Sequence, residues 1–140
     1  MKVYLEPQAL PIDRAHETDA GIDLKSPIDT DIPPRSSAVI DTGVHVEIPY
    51  RCAGLLVSKS GLNVKHGILS TGLIDEGYTG SITVKLYNDS DEEYQVKRGD
   101  KITQLVIMPI ERVGLFYVSS LAEFGYTERG ARGFGSTGRQ

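Results

Sequence analysis

The carboxylate of Asp75 and the aromatic ring of Tyr78 share a glycine-bracketed stretch, Gly72-Leu73-Ile74-Asp75-Glu76-Gly77-Tyr78-Thr79-Gly80. It lies between two β-prone runs and predicts a hairpin that holds a small molecule. Glycine at either end lets a ligand approach the main chain where a Cβ would obstruct it. Asp75, carried to a turn by rigid strands, is placed as a general base is placed. A turn-capping aspartate fits the same residues, since Asp and Gly are ordinary turn residues. A second group, Ser58-Lys59-Ser60-Gly61, follows an apolar run of strand length and offers hydroxyls and an ammonium. Gln104 is the polar exception in the strand expected over 102–107. Residues 128–140 are rich in Gly and Arg, with Phe134 among them. Such a segment suits wrapping a phosphate with N–H and guanidinium groups and stacking on a flat ring. A tail without structure of its own fits equally. Together these groups suit a phosphorylated ring compound.

Positioning such groups requires a sheet. Apolar residues mostly alternate with polar ones in short runs, punctuated by Gly, Pro, Asp and Asn, which predicts an all-β fold. Strands are expected over 3–5, 20–24, 38–41, 44–48, 53–57, 81–88, 93–97, 102–107 and 113–118. The run 81–88 is expected to pair with 93–97 through Asn88-Asp89-Ser90-Asp91. Alternation in Val44-His45-Val46-Glu47-Ile48 puts His45 on the face away from the apolar residues and predicts that it faces solvent. Cys52 opens an apolar run and is expected in the core.

With 140 residues the chain fits one domain, long enough to bury a core without disulfides. Its one cysteine excludes an internal disulfide or a cysteine metal cluster. A net charge of -4 argues against coating nucleic acid, which calls for excess Lys and Arg. No run has the length of a membrane span, and the first residues lack the apolar core of a secretion signal, so an intracellular, cytoplasmic protein is expected. Gly133 to Gly138 matches G-x-G-x-x-G in form, but too little chain follows it to make the helix that a dinucleotide site requires.

The chemical groups fall in five stretches: Asp19-Ala20-Gly21-Ile22-Asp23-Leu24, Ser58-Lys59-Ser60-Gly61-Leu62, Gly72 to Gly80, Gly99-Asp100-Lys101-Ile102-Thr103-Gln104-Leu105, and Arg129 to Gly138. In order and spacing they resemble the five motifs of the trimeric deoxyuridine triphosphate nucleotidohydrolases (dUTPases), over nearly the whole chain. The resemblance implies a jelly-roll β-barrel over 1–124, a homotrimer with sites between subunits, and a tail over 125–140 that closes a neighbour's site. It implies Mg²⁺-dependent hydrolysis of dUTP to dUMP and pyrophosphate, with Asp75 activating the water. Gly72 and Ile74 would present backbone groups to uracil, and Tyr78 would pack on the deoxyribose. Lys59, Ser60, Gly61 and Gln104 would serve the α- and β-phosphates. Arg129, Gly135, Ser136 and Thr137 would hold the γ-phosphate end, and Phe134 would stack on the base. No cluster at ligand spacing is evident, so the ion is expected to arrive on the triphosphate. Asp23 is either an outer-shell partner of that ion or the counterion of Lys59. Three positions depart from the usual motifs: Lys59 stands for Arg, Asp19 for Ser, and Leu69 for the Asn of some relatives. The rival dCTP deaminases share the fold and use a glutamate where this chain has Lys85; a non-catalytic regulatory protein of the same fold is the other alternative.

Overall fold

The alternation of the sequence becomes an antiparallel architecture in the computed structural model, which describes residues 1–133. Ten strands form among the described residues: β1 (Val3–Leu5), β2 (Gly21–Lys25), β3 (Thr30–Ile32), β4 (Ser37–Asp41), β5 (Val44–Val46), β6 (Cys52–Val57), β7 (Ile68–Ile74), β8 (Thr83–Asn88), β9 (Tyr94–Val96) and β10 (Lys101–Pro109). Six of them make one sheet in the order β2-β10-β6-β7-β8-β4, while β1-β5 and β3-β9 make two-stranded sheets. β7 turns the corner of the large sheet. Its first residues, Ile68 to Ser70, pair with Asn88 to Leu86 of β8, whereas Thr71 to Ile74 pair with Val57 to Gly54 of β6. The result is the expected all-β jelly-roll.

β8 shows why the faces are fixed. Val84, Leu86 and Asn88 are buried, and Thr83, Lys85 and Tyr87 are exposed. Burying each large aliphatic side chain is worth about 1.5–3 kcal/mol, so a one-residue slip would cost far more than local propensity could return. Leu24, Ile32, Ile40, Ile68, Ile82, Leu86, Ile102 and Leu105 fill the space between the sheets. Gly54 lets β6 enter this core, because a Cβ there would stand 2.8 Å from Leu105 Cδ1 and 2.9 Å from Ile48 Cδ1.

Several expectations are corrected. β8 does not pair with β9. Asn88 instead donates to the carbonyls of Ile32 (2.9 Å), Pro33 (3.2 Å) and Glu92 (2.7 Å), which carries the chain across to β3. A helix, α1 (Ser60–His66), forms where none was expected. It ends at Gly67, whose φ of 66° is readily adopted without a side chain. α1 has no buried residue and therefore no apolar stripe to announce it. Residues 113–118 form no strand; Val113, Leu115, Phe116 and Tyr117 are exposed. Cys52 lies half-buried at the edge of the core. His45 is on the predicted face but is not free to solvent, being held by Glu6 and Thr79.

Candidate active site

The site builds from two places in the chain. At the first, β10 lies between β2 and β6, so that Gln104 is directly opposite both Asp23 and Val57. Two residues beyond Val57, Lys59 caps α1 with extended backbone. Its ammonium lies 2.6 Å from Asp23 Oδ1, and that of Lys101 lies 2.7 Å from Oδ2. Gln104 donates weakly to Oδ1 at 3.4 Å. Asp13 adds a second carboxylate, 2.7 Å from Lys25 and 3.2 Å from Lys101. Three ammonium groups thus face two carboxylates, an excess of one positive charge suited to a polyphosphate.

Asp23 is almost fully buried, and burial alone would push its carboxyl up. The hydrogen bonds from Lys101 and Lys59 outweigh that and hold it below the usual range. Lys101 is raised by its bonds to Asp23 and Asp13. Of the two readings of Asp23, the ion pair with Lys59 is the one seen. Behind the cluster, Ser58 Oγ donates to the Ser70 carbonyl (3.0 Å) and Thr103 Oγ1 to the Val57 carbonyl (3.0 Å), tying β6, β7 and β10 together. Ser60 and Gly61 are exposed in the first turn of α1. Asp19 turns away to accept from the His16 N–H (3.0 Å).

Lys101 did not stand out in the sequence. It stands three positions before Gln104, which in a regular strand would put the two on opposite faces. A bulge between Lys101 and Thr103 restores them to one face, so that both reach Asp23. A basic residue three before the strand's lone Gln was the available signal.

The second place is the loop after β7. Asp75 is exposed at its start. The Tyr78 N–H donates to the Asp75 carbonyl (3.0 Å), and the Tyr78 hydroxyl donates to the Ser81 carbonyl (2.9 Å), folding the ring over its own loop. Gly80 lies under that ring: a Cβ there would overlap the Tyr78 hydroxyl. Gly72, expected at the turn, is inside β7 opposite Leu56, and Ile74 directs its side chain into the core. The hairpin is therefore real, but it is paired only at the end remote from Asp75.

Within the single chain the two places lie apart. Ile74 is opposite Gly54 while Gln104 is opposite Val57, so they lie at opposite ends of β6, separated by about 10 Å of strand before Lys59 is reached. Arg129 is exposed, its Nε donating to the Arg132 carbonyl at 3.0 Å. Phe134, Gly135, Ser136 and Thr137 lie outside the described residues. Among the described residues no group of three or more His, Cys, Asp or Glu side chains could hold a metal. Both Asp23 oxygens are engaged by ammonium groups. This donor set fits an ion that arrives on phosphates and keeps its waters. No described helix is long and apolar enough to cross a membrane.

An antiparallel jelly-roll with a cationic cluster at one end of a strand and a carboxylate loop at the other defines the class. A dUTPase family model matches residues 8–138. The deoxyuridine 5'-triphosphate nucleotidohydrolase of Clostridium tetani (strain Massachusetts / E88) is 42% identical over 99% of this chain and 95% of its own. That of Mus musculus is 40% identical over 98% and 83%. Among solved structures, the Staphylococcus bacteriophage 80alpha dUTPase with dUPNHPP is similar with a TM-score of 0.88 at 34% identity, over 98% of this chain and 97% of that one. A mutant dUTPase from phage phi11 of S. aureus, described as coordinating a structural Mg(II) ion, has a TM-score of 0.78 at 33% identity, over 86% and 97%. The chain belongs to the dUTPase family.

Proposed function

We propose that the chain is a dUTP diphosphatase, hydrolysing dUTP to dUMP and pyrophosphate in sites shared between subunits of a homotrimer. The observation that carries the shared site is the placement of Asp75 and Lys59 at opposite ends of β6. A nucleotide spans both groups if the loop of one subunit meets the cluster of another. The exposed apolar side chains of Val113, Leu115, Phe116 and Tyr117 support assembly, since they need cover. In this reading residues 1–124 are the jelly-roll and residues 125–140 close a neighbour's site.

Asp75 orients a water and takes its proton as the oxygen attacks the α-phosphorus. The bond to the bridging oxygen breaks, and pyrophosphate leaves. Lys59, Ser60, Gly61 and Gln104 hold the α- and β-phosphates, with Lys101 keeping Asp23 compensated when Lys59 turns to the substrate. Arg129, Gly135, Ser136 and Thr137 hold the γ-phosphate end, and Phe134 stacks on the base. Backbone groups of Gly72 and Ile74 meet the uracil edge, where a mismatch would leave buried polar groups unpaired. Tyr78 packs on the deoxyribose. When bound, Mg²⁺ neutralises charge on the phosphate oxygens.

Deamination is the weaker reading, because the position of the rival family's glutamate carries Lys85, whose ammonium lies over the Tyr87 ring at 4.8 Å. Incubation with dUTP and with dCTP, followed by analysis of base and phosphate products, decides. dUMP and pyrophosphate from dUTP alone are expected; uracil nucleotides from dCTP, or no turnover of either, would refute the assignment.

A further inference from the structure

The Tyr78 loop is not closed by its own strands. β7 leaves β8 after Ser70, so residues 75–82 depend on contacts from elsewhere. Ile82 is held by the ladder-like bond of its N–H to the Val44 carbonyl (2.8 Å) and by Thr42, which donates to its carbonyl. Nearer to Tyr78, the Thr79 carbonyl meets Nδ1 of His45 at 2.8 Å. The other ring nitrogen of His45, Nε2, lies 3.1 Å from Glu6 Oε1. Glu6 follows β1 and is anchored by its own N–H to the Gly43 carbonyl (2.9 Å).

Both partners are acceptors: a carbonyl and a carboxylate have no proton to give at neutral pH. A neutral imidazole has a single N–H and satisfies one of them; an imidazolium has two and satisfies both. We propose that His45 is a positioning residue, an imidazolium that ties the Thr79 carbonyl to the Glu6 carboxylate and so holds the Tyr78 loop in the shape that receives the sugar. The inference rests on the reading of Tyr78 as the deoxyribose contact.

The surroundings favour the charged ring. Asp41, at the end of β4, adds a second carboxylate, and its pKa is lowered chiefly by the hydrogen bond from Ser81. Tyr4 on β1 packs tilted against the imidazole, with centroids 5.4 Å apart. Lys2 and Glu47, which line the same surface cavity, pair with each other at 3.1 Å. The Thr79 carbonyl, then Glu6, push the His45 pKa up. Glu6 is lowered, first by His45 and then by Gln8. The clamp is therefore complete below the ordinary histidine range and is lost as pH rises through the raised value.

The test has two arms on the full chain. ¹⁵N spectra of the His45 ring, recorded without nucleotide, are expected to show both nitrogens protonated at neutral pH, and Glu6→Gln should move the titration to lower pH. In steady-state kinetics with dUTP, His45→Gln donates from one nitrogen only, at every pH, and so reaches one of the two acceptors. It should raise KM about threefold to fivefold, the scale of one half-exposed ion pair. Its kcat should stay close to that of the parent, and the alkaline rise in KM that the clamp predicts for the parent should be absent. A ring carrying one proton at neutral pH, or a His45→Gln protein with the parent's KM and pH profile, would overturn the clamp. An intact two-proton spectrum with an unchanged dUTP-to-UTP preference for Tyr78→Ala would overturn the positioning role and trace the fault to the sugar contact.

Discussion

Asp75 and Asp23 are both aspartates on strands or their ends, yet their surroundings differ, and the proposed function gives them opposite work. Asp75 is exposed at a loop, free to meet a water. Asp75→Asn should keep the fold and nucleotide binding while turnover drops about 10²–10⁴-fold, the usual contribution of a general base; single-turnover assays with dUTP check this. Asp23 is fixed between Lys59 and Lys101. Its lowered pKa means that its contribution to stability is present above the ordinary carboxylate range and is lost as pH falls through the depressed value. Asp23→Asn should therefore cost about 1–3 kcal/mol in urea unfolding at neutral pH, less than a wholly buried pair because both lysines reach water, and it should flatten the acid limb of stability. An unchanged urea midpoint would contradict this. The residues at both places were legible from type and spacing: Lys59, Gln104, Asp75. Of their partners, the sequence suggested Asp23 for Lys59 as one of two readings, but neither Lys101 nor the contact of His45 with Thr79. Asp23 lies 36 residues from Lys59 and 78 from Lys101, and His45 lies 34 residues from Thr79. Only folding makes these residues neighbours.

The strands were readable where one face is buried, because burial writes its period into the chain. β2, β6, β8 and β10 appear close to where alternation or apolar runs put them. Pairing was less readable. Two neighbouring strands with a polar turn between them look like a hairpin, but the side chain of Asn88 uses three carbonyls to bend the chain into another sheet. The bulge in β10 escaped for a related reason: an extra residue changes which face follows without changing composition. The Tyr78 loop supports a prediction of its own. Tyr78→Ala should lower the ratio of kcat/KM for dUTP over UTP, because in the proposed site the ring fills the place of a 2′-hydroxyl. Gly80→Ala should lower the same ratio with Tyr78 still present, since its Cβ would overlap the ring and force it aside. If Gly80→Ala discriminates as the parent does, the ring's resting place over Gly80 does not govern sugar choice.

Across the whole molecule, the two halves of the proposed site are complementary but apart, and mixing subunits tests whether they meet between chains. Removing residues 129–140 should leave a folded, nearly inactive assembly, and Asp75→Asn should be nearly inactive for a different reason. Unfolded and refolded together, the two should recover about one working site in three in each mixed trimer, because a single interface then joins an intact Asp75 to an intact tail. Native mass spectrometry confirms mixing. Mixed trimers without activity would leave each subunit to complete its own site. This arrangement was legible only through resemblance: nothing in alternation or spacing says which copy a loop serves. The uncovered stretch around Phe116 and Tyr117, respectively 90% and 96% exposed, bears on the protein's life in the cell. If the chain assembles as proposed, a newly made copy that has finished folding its sheets would still display what chaperones and proteases recognise as unfinished. Degradation would then fall on unassembled copies first, and the abundance of the protein would follow how fast its subunits find one another.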